Sequence, residues 1–81
     1  MDKAQELFRE KVDKVLNYKT YSDQKKIDTL LFMNADQYCN LGIESNKYER
    51  HQAESNSRYI YRAIKTLNEH LGRLLLKNRE E

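Results

Sequence analysis

The feature that most constrains the fold is a proline-free stretch, Ser45 to Lys77, in which apolar residues recur every three or four positions. Because an α-helix turns about 100° per residue, this spacing predicts a helix with one buried face. The apolar face comprises Ala53, Ile60, Ala63, Ile64, Leu67, Leu71, Leu74 and Leu75. The stretch therefore predicts a long C-terminal helix over residues 46–77, with Ser45 as its N-cap.

Two shorter apolar stripes precede the long one and predict helices over residues 2–17 and 23–41. Ser22 or Asp23 can cap the second helix, and Gly42 stands where a left-handed C-cap is usual. The residues expected at the centre of the core are Phe8, Val12, Leu31, Ile60, Ile64, Leu67 and Leu71. Short connections favour antiparallel neighbours, so the predicted fold is all-α, a small three-helix bundle forming one domain over residues 1–81.

The long helix has one weak place. The run Ser55-Asn56-Ser57 favours helix poorly, and its last two residues interrupt the apolar stripe. We therefore expect the helix to break or bend near Ser55–Ser57, which would bring the number of helices to four.

Composition limits where the protein works. The single cysteine excludes an internal disulfide and favours a reducing compartment. No segment approaches the roughly 20 apolar residues that span a bilayer, and the first residues lack the apolar run of a secretory signal. We expect a cytoplasmic protein with no membrane partner. The net charge of +2 is smaller than that of typical nucleic-acid binders.

The sequence favours a non-enzymatic protein without a catalytic residue, metal site or cofactor. His51 and His70 have no partner at metal-ligand spacing, and Cys39 has no adjacent base. The carboxylates are scattered among lysines and arginines, as on a solvated helix surface.

Three polar residues fall inside the apolar stripes: Asn34 on the second helix, and Asn56 and Ser57 on the third. One interpretation is that they pair across the core and fix the register of the helices, since a buried amide must be hydrogen bonded. The other is that the helices separate here and the polar residues face a ligand or a partner.

Phe32, Cys39 and Leu76 are apolar residues turned away from the main stripes of their helices. On a chain with a thin core they indicate a shared interface. We therefore expect self-association, with a two-fold dimer as the first hypothesis and a dimer of dimers as the second. The alternative is that the first and third helices simply cover both sides of the second.

A basic and aromatic run, Arg58-Tyr59-Ile60-Tyr61-Arg62, is the strongest candidate for ligand binding. Arginine and lysine neutralise phosphates, and tyrosine offers a face on which a base can stack. The candidate ligand-binding residues are Lys47, His51, Arg58, Tyr61, Arg62 and Lys65. The alternative is an ordinary charged outer face, with the pairs Glu54–Arg58 and Glu69–Arg73 at i, i+4 spacing.

The leading functional hypothesis is a small cytoplasmic binding protein, an inhibitor or adaptor, that meets a protein partner through a helical surface and forms homo-oligomers. The second is a binder or sponge for a nucleotide or nucleic acid that uses the basic and aromatic run. A purely structural oligomerisation module is a third. The residue usage, rich in Lys, Asn, Tyr and Ile without Trp or Pro, is common in low-GC genomes and phage proteins, so a phage origin is a further hypothesis.

Overall fold

A computed structural model describes residues 3–42 and 46–80 of the chain, with side chains as far as Lys77. These described residues form four helices: α1 over Lys3–Leu16, α2 over Asp23–Cys39, α3 over Lys47–Leu67 and α4 over Glu69–Glu80. The described residues include no strand. The prediction of an all-α helical bundle is thus confirmed. None of the described helices combines the length and apolar character needed to cross a membrane.

The start of α2 agrees with the sequence, but its end does not. Ser22 is the N-cap, and its hydroxyl accepts a hydrogen bond from the Lys25 backbone N–H at 3.2 Å. The helix ends at Cys39, with Asn40 as a C-cap in the right-handed region. No described residue has a positive φ, so the prediction of a left-handed cap at Gly42 is wrong. The Asn40 N–H bonds to the Asp36 carbonyl at 3.1 Å, and the chain leaves the helix without a left-handed residue.

The long helix is interrupted at a different residue from the one predicted. Helix α3 runs without a break through Ser55–Ser57 and ends at Leu67. Asn68 has extended backbone angles, φ −148° and ψ 95°, and separates α3 from α4. Its side-chain oxygen accepts from the Leu71 N–H at 3.1 Å, so Asn68 also caps the start of α4.

Tertiary hydrogen bonds explain why the weak helix-forming run stays helical. Ser55 accepts side-chain hydrogen bonds from α1, and Ser57 is fully buried against α2. Packing of this kind routinely overrides the small differences in intrinsic helix propensity. The N-cap of α3 is Asn46, which accepts from the Glu49 N–H at 2.8 Å. The predicted cap, Ser45, lies outside the described residues.

The core lies where α1, α2 and α3 meet, and each of these helices contacts the other two. Its buried residues are Val12, Val15, Ile27, Leu30, Ile60, Ala63 and Ile64. Of the predicted central residues, Val12, Ile60 and Ile64 are confirmed as fully buried. The other four are partly buried around the margin, namely Phe8, Leu31, Leu67 and Leu71.

Helix α4 packs closely on α3. A Cβ atom at Gly72 would lie only 2.4 Å from the Lys65 Cα, so only glycine permits this approach. Leu71 and Leu75 pack against the core from α4. Leu74 is 46% exposed, so its predicted place on the buried face is wrong. The break at Asn68 is the reason, since it ends the continuous stripe from which the position of Leu74 was inferred.

Candidate binding groove between α1 and α3

An open groove of about 460 Å³ lies between α1 and α3. Helix α1 lines it with Arg9, Asp13 and Leu16. Helix α3 lines it with Ser55, Arg58, Tyr59, Arg62, Ala63 and Thr66. These positions recur at three and four residues in each helix, and side chains at that spacing share one helical face. We call this set of residues the arginine groove.

One wall of the arginine groove is held in place by contacts between its own side chains. The Tyr59 hydroxyl donates to Asp13 Oδ1 at 2.6 Å. The Arg9 guanidinium lies over the Tyr59 ring, with Cζ 4.8 Å from the ring centroid. Arg9 Nη2 also donates to Ser55 Oγ at 3.4 Å, and Gln5 Nε2 donates to the same oxygen at 2.9 Å. This wall is therefore ordered before any ligand arrives.

The same contacts alter the acidity of Tyr59. The hydrogen bond to the Asp13 carboxylate raises the pKa of the Tyr59 hydroxyl above its usual value. Burial and the negative charge of Asp13 act in the same direction, and the charge of Arg9 opposes them. Tyr59 therefore keeps its proton, and remains a hydrogen-bond donor to Asp13, to higher pH than an ordinary tyrosine would.

The other wall carries charge without a partner. Arg58 and Arg62 are exposed, lie one helical turn apart, and make no ion pair within the described part of the chain. The expected pair between Glu54 and Arg58 is not formed, whereas Glu69 and Arg73 are paired at 2.5 Å. Among the residues that the structure describes, the groove thus has three arginines and one carboxylate, Asp13, which already accepts from Tyr59.

The structure brings two of the six predicted ligand-binding residues, Arg58 and Arg62, into the groove. Lys47, His51 and Lys65 are exposed on α3 but do not line it.

Tyr61 is on the other side of α3, where its hydroxyl accepts from Asn34 Nδ2 of α2 at 3.1 Å. Tyr61 therefore does not lie beside Arg58 and Arg62 in the groove, and the aromatic residue that does is Tyr59. Both tyrosines border the apolar stripe, and only the arrangement of α1 and α2 around α3 decides which of them faces the groove.

The sequence reasoning also missed Arg9. The sequence indicates a role for Arg9 only through its i, i+4 spacing to Asp13, which places an arginine and a carboxylate on one edge of α1. That spacing is common on exposed helices. Arg9 becomes part of a site only because α1 packs beside Ser55 and Tyr59 of α3.

A second polar cluster lies between α2 and α3, and we call its members the α2–α3 polar cluster. They are Asn34, Gln37, Tyr38, Ser57 and Tyr61. The Ser57 hydroxyl donates to Asn34 Oδ1, and Gln37 Nε2 donates to the same oxygen at 3.0 Å. These residues satisfy one another across the core, which confirms the pairing interpretation for Asn34 and Ser57. Asn56 does not join them, and its buried Oδ1 has no partner among the described residues.

The apolar residues predicted as an interface differ in exposure. Phe32 is 72% exposed, and Cys39 is also exposed. Leu76 is partly buried. Two carboxylates flank Phe32, since Asp28 and Asp36 lie one turn to either side on the same exposed face. We call Asp28, Phe32, Ala35, Asp36 and Cys39 the α2 outer face.

Comparison of the chain with protein families, with curated proteins and with solved structures gives no match. In the described ranges, no group of three His, Cys, Asp or Glu side chains could hold a metal ion.

Proposed function

We propose that this chain is a non-enzymatic binding protein that recognises an acidic protein surface through the arginine groove. The observation that carries the proposal is the pair Arg58 and Arg62, which are exposed, adjacent and unpaired beside an ordered wall. Arginine presents a rigid fork of N–H donors that fits a carboxylate with two parallel hydrogen bonds. A partner with one or two carboxylates would complete the site. An inhibitor or adaptor would act in this way.

The geometry supports a carboxylate partner more strongly than a nucleobase. Single-stranded nucleic acid is normally held by aromatic faces on which bases stack. In the groove, the Arg9 guanidinium already covers one face of the Tyr59 ring. Tyr61 is engaged by Asn34 on the α2 side and offers no platform beside the arginines. A nucleotide or nucleic acid remains the second candidate, because Arg58 and Arg62 could equally neutralise phosphates.

The exposed thiol of Cys39 supports cytoplasmic residence as part of the proposal. A single exposed cysteine persists as a free thiol in a reducing compartment, whereas oxidising compartments favour its capture in a disulfide. A fractionation experiment with an antibody to the native chain would test this directly. Recovery in the cytosolic fraction is the expected result.

The binding proposal is tested by following the backbone amide NMR signals during titration with three probes. These are an acidic helical peptide containing Asp and Phe, a single-stranded thymidine oligonucleotide, and ATP. We expect the peptide to shift the signals of Arg58, Tyr59, Arg62 and Thr66. The change Arg58→Glu with Arg62→Glu should weaken the affinity for the peptide at least about tenfold, because like charges would then face each other.

A matched control changes two cations of the same helix outside the groove, Lys47→Glu with Lys65→Glu. It alters the net charge by the same amount and should retain most of the affinity. Equal weakening by both variants would indicate a general charge effect and contradict a site in the groove. Binding of the oligonucleotide or ATP, but not the peptide, would establish the second candidate instead.

A further inference from the structure

The α2 outer face carries two carboxylates and an exposed phenyl ring, and its charge is opposite to that of the arginine groove. Its exposed phenyl ring, Phe32, lies between the carboxylates of Asp28 and Asp36. Only Asp36 and Cys39 of this face lie in the last turn of α2, where the helix dipole adds negative potential. The groove has the opposite character, with unpaired arginines beside the apolar side chains of Leu16 and Ala63.

Helical spacing allows an arginine and a carboxylate to meet beside the phenyl ring. Along an α-helix, residues four apart are separated by about 6 Å. Arg58 and Arg62 have this separation on α3, and so do Phe32 and Asp36 on α2. A phenyl ring placed against Leu16 and Ala63 would therefore have a carboxylate of its own helix about 6 Å away along the helix axis, a distance that a long arginine side chain can span.

The two surfaces lie on opposite sides of one molecule. Helices α1, α2 and α3 are in mutual contact, so the groove between α1 and α3 faces away from α2. Phe32 in turn points away from the core, which α2 meets through Ile27 and Leu30. A chain therefore cannot place its own α2 outer face in its own groove, and any pairing of the two must join different copies.

We propose that the acidic surface taken by the arginine groove is the α2 outer face of a second copy of this chain. This inference rests on the proposed function and names its partner. The contact is head-to-tail, because the groove of one copy binds a different surface, the α2 outer face, of the next copy. Such contacts produce closed rings or open chains, according to whether the rotation closes. The assembly therefore differs from the two-fold dimer expected from the sequence.

The test exploits the two signs of charge. A groove-reversed variant carries Arg58→Glu with Arg62→Glu, and a face-reversed variant carries Asp28→Lys with Asp36→Lys. In each variant the two surfaces have the same sign and repel, so each alone should stay monomeric. When the two variants are mixed, the positive groove of the face-reversed variant can bind the negative face of the groove-reversed variant. The negative groove of the groove-reversed variant can likewise bind the positive face of the face-reversed variant. The mixture should regain the association of the wild type.

Mass in solution is measured by light scattering after size exclusion, in the presence of a reductant so that Cys39 forms no disulfide. The wild-type mass should rise with concentration and pass that of a dimer. It should fall as salt increases from about 0.01 M to about 1 M, over which the screening length falls from about 30 Å to about 3 Å. Phe32→Ser should weaken association at least about tenfold. Leu76→Ser, outside both surfaces, should not.

Circular dichroism of each variant establishes that the helices are retained. A wild-type protein that stays monomeric at high micromolar concentration overturns the inference. So does wild-type-like association of either reversed variant, or a mixture that remains monomeric. If the wild type is monomeric but its groove binds the acidic peptide described above, the proposed function stands and only the identity of the partner is wrong. If neither association nor peptide binding occurs, both are wrong.

Discussion

Ser57 of α3 donates a hydrogen bond to the side-chain oxygen of Asn34 in α2, at a point where Ser57 is fully buried. Asn34 Oδ1 also accepts from Gln37, and Asn34 Nδ2 donates to the Tyr61 hydroxyl. A polar link of this kind favours a single register of the two helices, because a shifted register would leave buried groups without partners.

Replacement of Ser57 by alanine should therefore destabilise the fold by about 1–3 kcal/mol, because the buried groups around it lose a partner. The matched control is Ser55→Ala, which makes the same chemical change two residues earlier on α3. Ser55 is less buried, and its donors Gln5 and Arg9 can turn to water. Urea unfolding should show the larger loss for Ser57→Ala. Equal losses would contradict a special role for the α2–α3 polar cluster.

Leu30 and Phe32 provide a sharp comparison on a single helix. Leu30 is fully buried, whereas Phe32 is 72% exposed. Leu30→Ala should cost about 2–5 kcal/mol, since it leaves a cavity in the core. Phe32→Ala should change the stability of the isolated chain by less than about 0.5 kcal/mol. Denaturant unfolding at low protein concentration measures both values, and a large loss for Phe32→Ala would show that α2 is rotated from its position here.

Gly72→Ala should destabilise the contact between α4 and α3. Alanine favours helix over glycine by about 1 kcal/mol, so an exposed site would gain stability. Here the new Cβ would meet backbone atoms of Lys65, and overpacking of this kind costs about 1–3 kcal/mol. Hydrogen exchange of the α4 amides should accelerate.

Shortening the facing side chain does not relieve this clash, because the Lys65 Cα and N lie 2.4 and 2.7 Å from the new Cβ. The double change Gly72→Ala with Lys65→Ala should thus remain as destabilised as Gly72→Ala alone. Rescue by the second change would show that only the lysine side chain stands in the way.

The raised pKa of Tyr59 predicts that the folded chain loses stability at alkaline pH. The hydrogen bond to Asp13 raises the pKa of Tyr59 in the folded state above its unfolded value. Its contribution is fully present below the ordinary tyrosine pKa of about 10, and is lost as pH rises through the higher folded value. Above pH about 10 the wild type should lose more stability than Tyr59→Phe, which cannot ionise. Parallel pH profiles for the two proteins would mean that the hydrogen bond is not maintained in solution.

The helical period of the apolar residues is enough to predict an all-α chain and three of its fully buried residues. The apolar stripes follow the helical period, so they place Val12, Ile60 and Ile64 on buried faces whatever the partner helix is. The cap at Ser22 is similarly local, since its hydroxyl needs only a backbone N–H of the next turn.

Other features depend on contacts between helices, which the helical period of the sequence does not specify. The run Ser55-Asn56-Ser57 stays helical because α1 and α2 hydrogen bond to its two serines. Asn68 ends α3 although the apolar stripe continues past it. Its extended backbone changes the direction of the chain, so that Gly72 of α4 packs against Lys65 of α3.

The arginine groove has the same origin. The sequence shows that Arg58 and Arg62 share a helical face. It does not show their neighbours in the groove, because Arg9 comes from α1 and Tyr59 comes from the edge of α3 that meets α1. A helical period specifies which residues share a face. It contains no information about which edge of that face meets α1 and which meets α2, because that choice depends on how three helices pack together. Tertiary packing therefore places Tyr59 in the groove and turns Tyr61 toward Asn34.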